Sequence, residues 1–274
     1  MDICYAANEN FAPYTAVSIA SLLENNPRGD IVVHILHSDL TRETISKLSA
    51  FEVRYKNAKF AFHKIDKSRF ENFGITISHI TKETYFRYLI ADALPNAERA
   101  LYLDGDTIVN GGISELFEID LSGCYCAGAS DIYIESVGHK KSLRLEGLYI
   151  NAGVILFNLA EIRKSGVVEK LFKLTAENSF KYQDQDAINI AFNGKIKELD
   201  CIYNFKRDHY SRAPEKLPEA KIIHYVGNNK PWKKYSFNKL KQRYYLYERF
   251  APQFPRRGLF GKMISIFSGQ KHHL

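Results

Sequence analysis

The sequence predicts an α/β fold, one mainly parallel sheet with helices on both faces, and two observations carry that prediction. Short apolar runs alternate with segments of helical periodicity along the first 225 or so residues. No stretch rich in Pro, Gly or Ser interrupts them to mark a linker. A chain of 274 residues, 45% hydrophobic and 25% charged, can bury a sizeable core, so one main domain with a tail is expected.

Asp2 to Ala7 is apolar, runs into Asn8-Glu9-Asn10, and reads as the first strand. Tyr14 to Asn25 places Val17, Ile19, Ala20, Leu22 and Leu23 at helical spacing. Ile31 to Leu36 predicts a second strand, Arg42 to Phe51 a second helix opened by Thr41, and Lys59 to Ile65 a third, alternating strand. Glu83 to Ala91 predicts a helix. The apolar run Ala100 to Leu103 then ends at Asp104-Gly105-Asp106, and strand ends are where such sheets bind ligands. Tyr125 to Ala129 and Tyr149 to Phe157 read as strands, Asp184 to Phe192 as a helix, and Lys221 to Tyr225 as a late strand.

Several function classes are excluded. No basic and apolar leader opens the chain, and no run approaches the roughly 20 apolar residues that span a bilayer. Cys4, Cys124, Cys126 and Cys201 lack CxxC spacing and are expected as buried reduced thiols. GxGxxG after a strand, GxxxxGK[ST], HExxH and GxSxG are all absent. From Asn228 onward seven Lys and four Arg face one acid, Glu248, so this end carries +10 of a chain whose total is +7. A mildly acidic body with a basic end suits a tail that meets phosphate or membrane, and argues against nucleic acid as a partner.

Two Asp-x-Asp tripeptides stand in the chain, and geometry separates them. Residues i and i+2 share a side of an extended segment but diverge by about 200° on a helix. Asp104 and Asp106 can therefore converge on one cation, whereas Asp184 and Asp186 cannot. A hard divalent ion gathers carboxylates and shares its other positions with water and phosphate. Gly105 between the two acids would let a ligand approach the backbone. The bland alternative is two loop acids capping a turn. A sharper rival is a haloacid-dehalogenase-type phosphatase, whose first motif Leu103-Asp104-Gly105-Asp106-Thr107-Ile108 resembles. That class expects the motif on an early strand and a later acidic pair, and neither is present.

Taken together, Ala6-Ala7-Asn8-Glu9-Asn10, Tyr85-Phe86-Arg87, Leu101-Tyr102-Leu103-Asp104-Gly105-Asp106, Tyr149-Ile150-Asn151-Ala152-Gly153-Val154, Tyr182-Gln183-Asp184-Gln185-Asp186 and His224-Tyr225-Val226-Gly227 with Lys230-Pro231-Trp232 resemble glycosyltransferase family 8, block by block and in order. The nearest resemblance is to its bacterial galactosyl- and glucosyltransferases of lipooligosaccharide and related surface glycans. It covers residues 1–235 and implies a GT-A fold, with 236–274 as a basic and aromatic C-terminal segment. It implies a retaining transfer from a UDP-sugar to a glycan or glycolipid acceptor with Mn2+, Mg2+ being the alternative ion. Asp104, Asp106 and His224 carry over as metal ligands, a set that suits Mn2+.

Further carry-overs follow the same blocks. Lys230 and the Gly227 backbone match positions that hold the diphosphate. Ala6, Asn8 and Asn10 fall at the nucleoside, with Asn8 at a position that is often Asp and meets uracil; an Asn carbonyl still accepts from N3–H. Arg87, Asp104, Gly105, Asn151 and Asp184 surround the donor, with His79 near the diphosphate or acceptor. Gln185 matches the residue beneath the anomeric carbon. A poor nucleophile there favours a front-face route, with Asp184 and Asp131 as the carboxylates a double displacement would use. Downstream, Arg256 to Phe267 combines basic and apolar residues suited to an anionic membrane interface, which implies a cytoplasmic protein peripheral on the inner face of the membrane. A non-enzymatic sugar-nucleotide binder is the remaining alternative.

Overall fold

The computed structural model describes residues 1–77 and 80–254. His79 and the Arg256 to Phe267 segment therefore lie outside the described residues. Nine strands are described: β1 (Asp2–Ala6), β2 (Ile31–His37), β3 (Ala58–Lys64), β4 (Arg99–Leu103), β5 (Thr107–Val109), β6 (Cys126–Ser130), β7 (Ile150–Asn158), β8 (Ile196–Leu199) and β9 (Ile222–His224). Seven form one sheet in the order β3-β2-β1-β4-β7-β6-β8. All neighbouring pairs are parallel except those of β7, which runs antiparallel to both β4 and β6. The sheet is mixed and mainly parallel, as the alternation of strands and helices requires.

Both faces of the sheet are covered. Ile3, Val33, Leu101 and Leu156 point into one core with the helix Ala12–Asn25; Cys4, Leu36, Tyr102 and Ile155 point into the other with Phe86, Ile162 and Ile188. The central strands β1, β4 and β7 alternate between the two cores, the signature of a doubly covered sheet. Thr41 caps the helix Arg42–Ser49 by accepting from Thr44 N–H at 3.2 Å. Cys4 and Cys126 are buried, but Cys124 and Cys201 are only half-buried, contrary to the expectation for all four.

One predicted helix takes a different form. Lys82–Leu89 is a 3-10 helix followed by a single α-turn, Ile90–Ala93. Tyr85 through Leu89 are all buried, and the Thr84 carbonyl is bonded by the Arg87 Nε at 2.9 Å. A side chain that competes for the backbone acceptor, with no solvent face to the segment, tightens the turn.

A second, two-stranded ribbon sets the site. β5 pairs antiparallel with β9, opposing Thr107 to His224. The Ala12–Asn25 helix supports it with hydroxyls: Ser18 bonds Thr107 Oγ1 at 2.9 Å and Ser21 Oγ accepts from Val109 N–H at 2.9 Å. After β9 the chain returns to the same body. Tyr244, on the helix Lys241–Glu248, is buried against Tyr225 and Trp232, and Tyr225 donates to the Leu240 carbonyl at 2.9 Å. Among the described residues no helix is long and apolar enough to cross a membrane.

Candidate active site

Asp104 leaves the end of β4, where its N–H donates to the Gly153 carbonyl of β7 at 2.8 Å. The Thr107 hydroxyl closes the turn onto the Asp104 carbonyl at 2.8 Å. The chain then enters β5, and the β5–β9 pairing brings His224 over the turn. The ligand atoms of Asp104, Asp106 and His224 lie within 4.8 Å of one another. His224 Nε2 stands 3.3 Å from Asp106 Oδ1 and 3.7 Å from Asp104 Oδ2. Two carboxylates and an imidazole nitrogen, all turned to one point, fit a divalent cation with mixed oxygen and nitrogen preference. Lys230 pairs with Asp106 and also donates to the Tyr225 carbonyl at 2.7 Å. Burial by itself would raise the Asp106 carboxyl; its charged surroundings, the Lys230 ammonium foremost, outweigh that and hold it well below the usual carboxylate range.

Two glycines shape this centre. A Cβ on Gly153 would lie 2.1 Å from His224 Cε1 and 2.7 Å from Asp104 Oδ2. A Cβ on Gly105 would lie 2.3 Å from Thr15 Oγ1 and 3.1 Å from the Phe11 ring. Gly105 thus makes room for Phe11 and Thr15, and it also lines the cleft between the two acids.

Arg87 joins the centre to the next pair of groups. Its guanidinium is buried, donates to Asp104 Oδ1 at 2.9 Å, and pairs with Asp184 Oδ2 at 3.1 Å while lying over the Tyr102 ring. Asp184 Oδ1 accepts from the Thr84 hydroxyl at 2.7 Å. Burial raises the Asp184 carboxyl despite these partners. Asp186, two residues on, turns elsewhere, to His139, the Tyr149 hydroxyl and the Tyr182 N–H. The two acids of this helix serve different neighbours.

Gln185 projects between them into the cleft. Its Oε1 accepts from Asn151 Nδ2 at 3.0 Å and Ala152 N–H at 3.1 Å; its Nε2 donates to Asp131 Oδ2 at 3.2 Å and the Tyr149 hydroxyl at 3.3 Å. Asp131 is buried, with Oδ1 2.7 Å from the Lys206 ammonium and Oδ2 accepting from Asn151 Nδ2 at 3.0 Å. Burial pushes its carboxyl up, and Lys206 and the amides more than reverse that, leaving it lowered.

Asp104, Asp106, His224, Arg87, Asp184, Gln185 and Asp131 line one cleft of about 720 Å3, enough for a nucleotide sugar. Ala6, Asn8, Asn10, Gly227 and Lys230 line it too. Asn8 Oδ1 accepts from the N–H groups of Asn10 and Phe11 at 3.1 and 3.0 Å, and its Nδ2 donates to Thr81 and Glu83. A uracil N3–H would compete with this turn for the Asn8 carbonyl. Gly227 has φ +76°, a conformation that favours glycine.

Sequence reasoning missed Asn204 and Lys206. Asn204 ends a 3-10 turn, Cys201–Asn204, and is fully buried; Lys206 is 1% exposed. Their one sequence signal is a pair of polar residues flanking Phe205 in a stretch without periodicity.

The family described as Glycosyl transferase family 8 matches residues 2–236. A Haemophilus influenzae relative is 34% identical over 245 residues, 85% of this chain and 73% of its own length. The lipopolysaccharide 1,2-glucosyltransferase of Escherichia coli is 31% identical over 251 residues, covering 84% of this chain and 73% of that enzyme. Among solved structures, the galactosyltransferase LgtC, crystallised with donor and acceptor sugar analogues, superposes with a TM-score of 0.85 at 24% identity, covering 93% of this chain and 98% of that one. At this identity the likeness shows the fold, which is the GT-A fold.

Proposed function

Since the chain belongs to glycosyltransferase family 8 and is therefore a glycosyltransferase, we propose that it moves a hexose, galactose or glucose, from a UDP-sugar to a sugar acceptor on a surface glycan or glycolipid, with retention at the anomeric carbon. Family membership sets aside the phosphatase reading of the Leu103 to Ile108 motif, and the assembled Asp104, Asp106 and His224 beside Lys230 argue against a member that binds without turnover. The observation that carries the proposal is the convergence of Asp104, Asp106 and His224 beside Lys230, in a cleft that Gln185 also lines.

Asp104, Asp106 and His224 would hold Mn2+, or Mg2+, which supplies Lewis-acid charge to a departing diphosphate. Lys230 and the Gly227 N–H would add positive potential at the same oxygens, where it counts more in the transition state than in the ground state. Ala6, Asn8 and Asn10 would seat the nucleoside. Arg87, Asn151 and Asp184 would orient the hexose, and His79 would lie near the diphosphate or acceptor.

Retention follows from a front-face displacement. The bond from the anomeric carbon to the β-phosphate oxygen breaks, the acceptor oxygen bonds the same face, and the released phosphate oxygen takes the acceptor's proton. Both oxygens of Asp131 are engaged, by Lys206 on one and by amides on the other, and those of Asp184 by Thr84 and Arg87. Each would have to loosen these contacts to attack carbon, which supports this route over double displacement. Gln185 would stabilise the cationic sugar with an amide oxygen fixed by two donors. The basic segment beyond residue 254 would hold the enzyme on the cytoplasmic face of an anionic membrane, where a lipid-linked acceptor lies.

The deciding experiment is UDP release and transfer across a panel of UDP-sugars, with and without Mn2+, on wild type and Asp104→Asn. Metal-dependent turnover of one donor that is lost in the variant is expected. No turnover of any UDP-sugar would overturn the donor assignment.

A further inference from the structure

Resting on the metal-ligand reading above, the geometry points to Asn204 and Asp131 as positioning residues that fix His224 as the Nδ1–H tautomer, so that its Nε2 lone pair faces the two carboxylates. The direction of a hydrogen-bond chain carries this. Asp131 sits beside the Lys206 ammonium at 2.7 Å and, as a carboxylate, can only accept. Asn151 must then turn its NH2 to Asp131 Oδ2, at 3.0 Å. Its carbonyl consequently faces the other way, where it accepts from Gly153 N–H at 3.2 Å and from Asn204 Nδ2 at 3.0 Å. With its NH2 spent on Asn151, Asn204 offers only a carbonyl to His224 Nδ1, at 3.0 Å. A carbonyl cannot donate, so Nδ1 must carry the proton.

The consequence lies at Nε2. The opposite tautomer would give Nε2–H to Asp106 Oδ1, 3.3 Å away, and satisfy the centre internally. With Nδ1–H, three acceptors face one another, none can donate to another, and a cation placed between them would satisfy all three. Asn204, Asn151 and His224 are fully or nearly fully buried, so water cannot reorient the chain. Metal-binding histidines are commonly held in this way through their second nitrogen. Here the hold extends through two amides to a buried ion pair on another element.

The test uses the full chain without metal, and then Mn2+ alone, so it needs neither donor nor turnover. Long-range 1H–15N NMR of metal-free wild type above pH 8 should show His224 as the Nδ1–H tautomer, and this spectrum decides even where a variant fails to fold. Mn2+ binding by calorimetry should weaken about 10- to 100-fold in Asn204→Leu. It should stay within a few-fold of wild type in Asn204→Asp, which keeps the acceptor. Asp131→Asn, which loses the fixed direction, should give a mixed tautomer. An Nε2–H wild type, or equal Mn2+ affinity in the Leu and Asp variants, would overturn the inference. Failure of UDP-sugar transfer with these results intact would instead fault the donor assignment.

Discussion

Gly153 passes so close beneath His224 that a methyl on its Cα would lie 2.1 Å from the imidazole Cε1, nearer than any non-bonded carbon pair tolerates. His224 is buried on a paired strand and has no room to retreat. Gly153→Ala should therefore displace the ring or the Asp104 carboxylate, 2.7 Å from the same point. Mn2+ affinity and transfer rate should both fall by about 10²-fold, the scale on which a misplaced catalytic group acts. Calorimetry beside a rate assay checks this, and wild-type affinity in a folded variant would refute it.

Lys206 and Asp131 form a buried ion pair, and removing one partner leaves a charge without compensation. Lys206→Met should destabilise the protein by about 3 to 5 kcal/mol. The double variant with Asp131→Leu should recover most of that loss, because two apolar groups replace two charges. Urea unfolding of the four proteins of the cycle measures the coupling.

The sheet was largely legible because its strands are apolar on both faces and its helices keep their period. β1 through β4 and the helix Ala12–Asn25 fall within a residue or two of the pattern. What the pattern could not show is direction. β7 reads as another buried strand, and nothing in Ile150 to Asn158 says that it runs antiparallel. The three-residue β5 is below any usable period, and although Lys221 to Tyr225 reads as a strand, nothing in it says that β9 pairs with β5 and so brings His224 to Asp104 and Asp106. Asp104-Gly105-Asp106 is visible as a spacing. Asn204 is not, since its partners stand 53 and 20 residues away in Asn151 and His224. Such a residue becomes readable only once the chain is folded.

The same ion pair gives a pH dependence of definite sign. Burial raises the Asp131 carboxyl, Lys206 and its amide donors lower it further, and the folded pKa lies below the unfolded one. Its stabilisation is complete above about pH 4, the ordinary carboxylate range, and is lost as pH falls through the lower folded value. Asp184 works in the opposite sense, because burial leaves its folded pKa raised. Its contribution favours the fold at low pH and fades as pH rises through that value. Asp131→Asn should thus flatten the loss of stability below pH 4, and Asp184→Asn should steepen it. Denaturation midpoints from pH 3 to 6 compare the slopes.

Gln185 decides between the two routes to retention. Asn151 Nδ2 and Ala152 N–H hold its amide oxygen at 3.0 and 3.1 Å, so a fixed dipole stands in the wall of the cleft. A dipole aimed at developing positive charge acts without reorganisation. Gln185→Ala should lower the transfer rate by about 10²-fold and leave the product anomer unchanged, since the front-face step needs no protein nucleophile. Asp184→Asn should weaken the Arg87 contact and slow transfer, again with retention. Product anomers by NMR, with mass spectrometry of the protein after a slow donor, separate the routes. An inverted product, or a glycosyl adduct on Asp184 or Asp131, would mean that a carboxylate leaves its partners to attack carbon, and the double-displacement route would replace the one argued here.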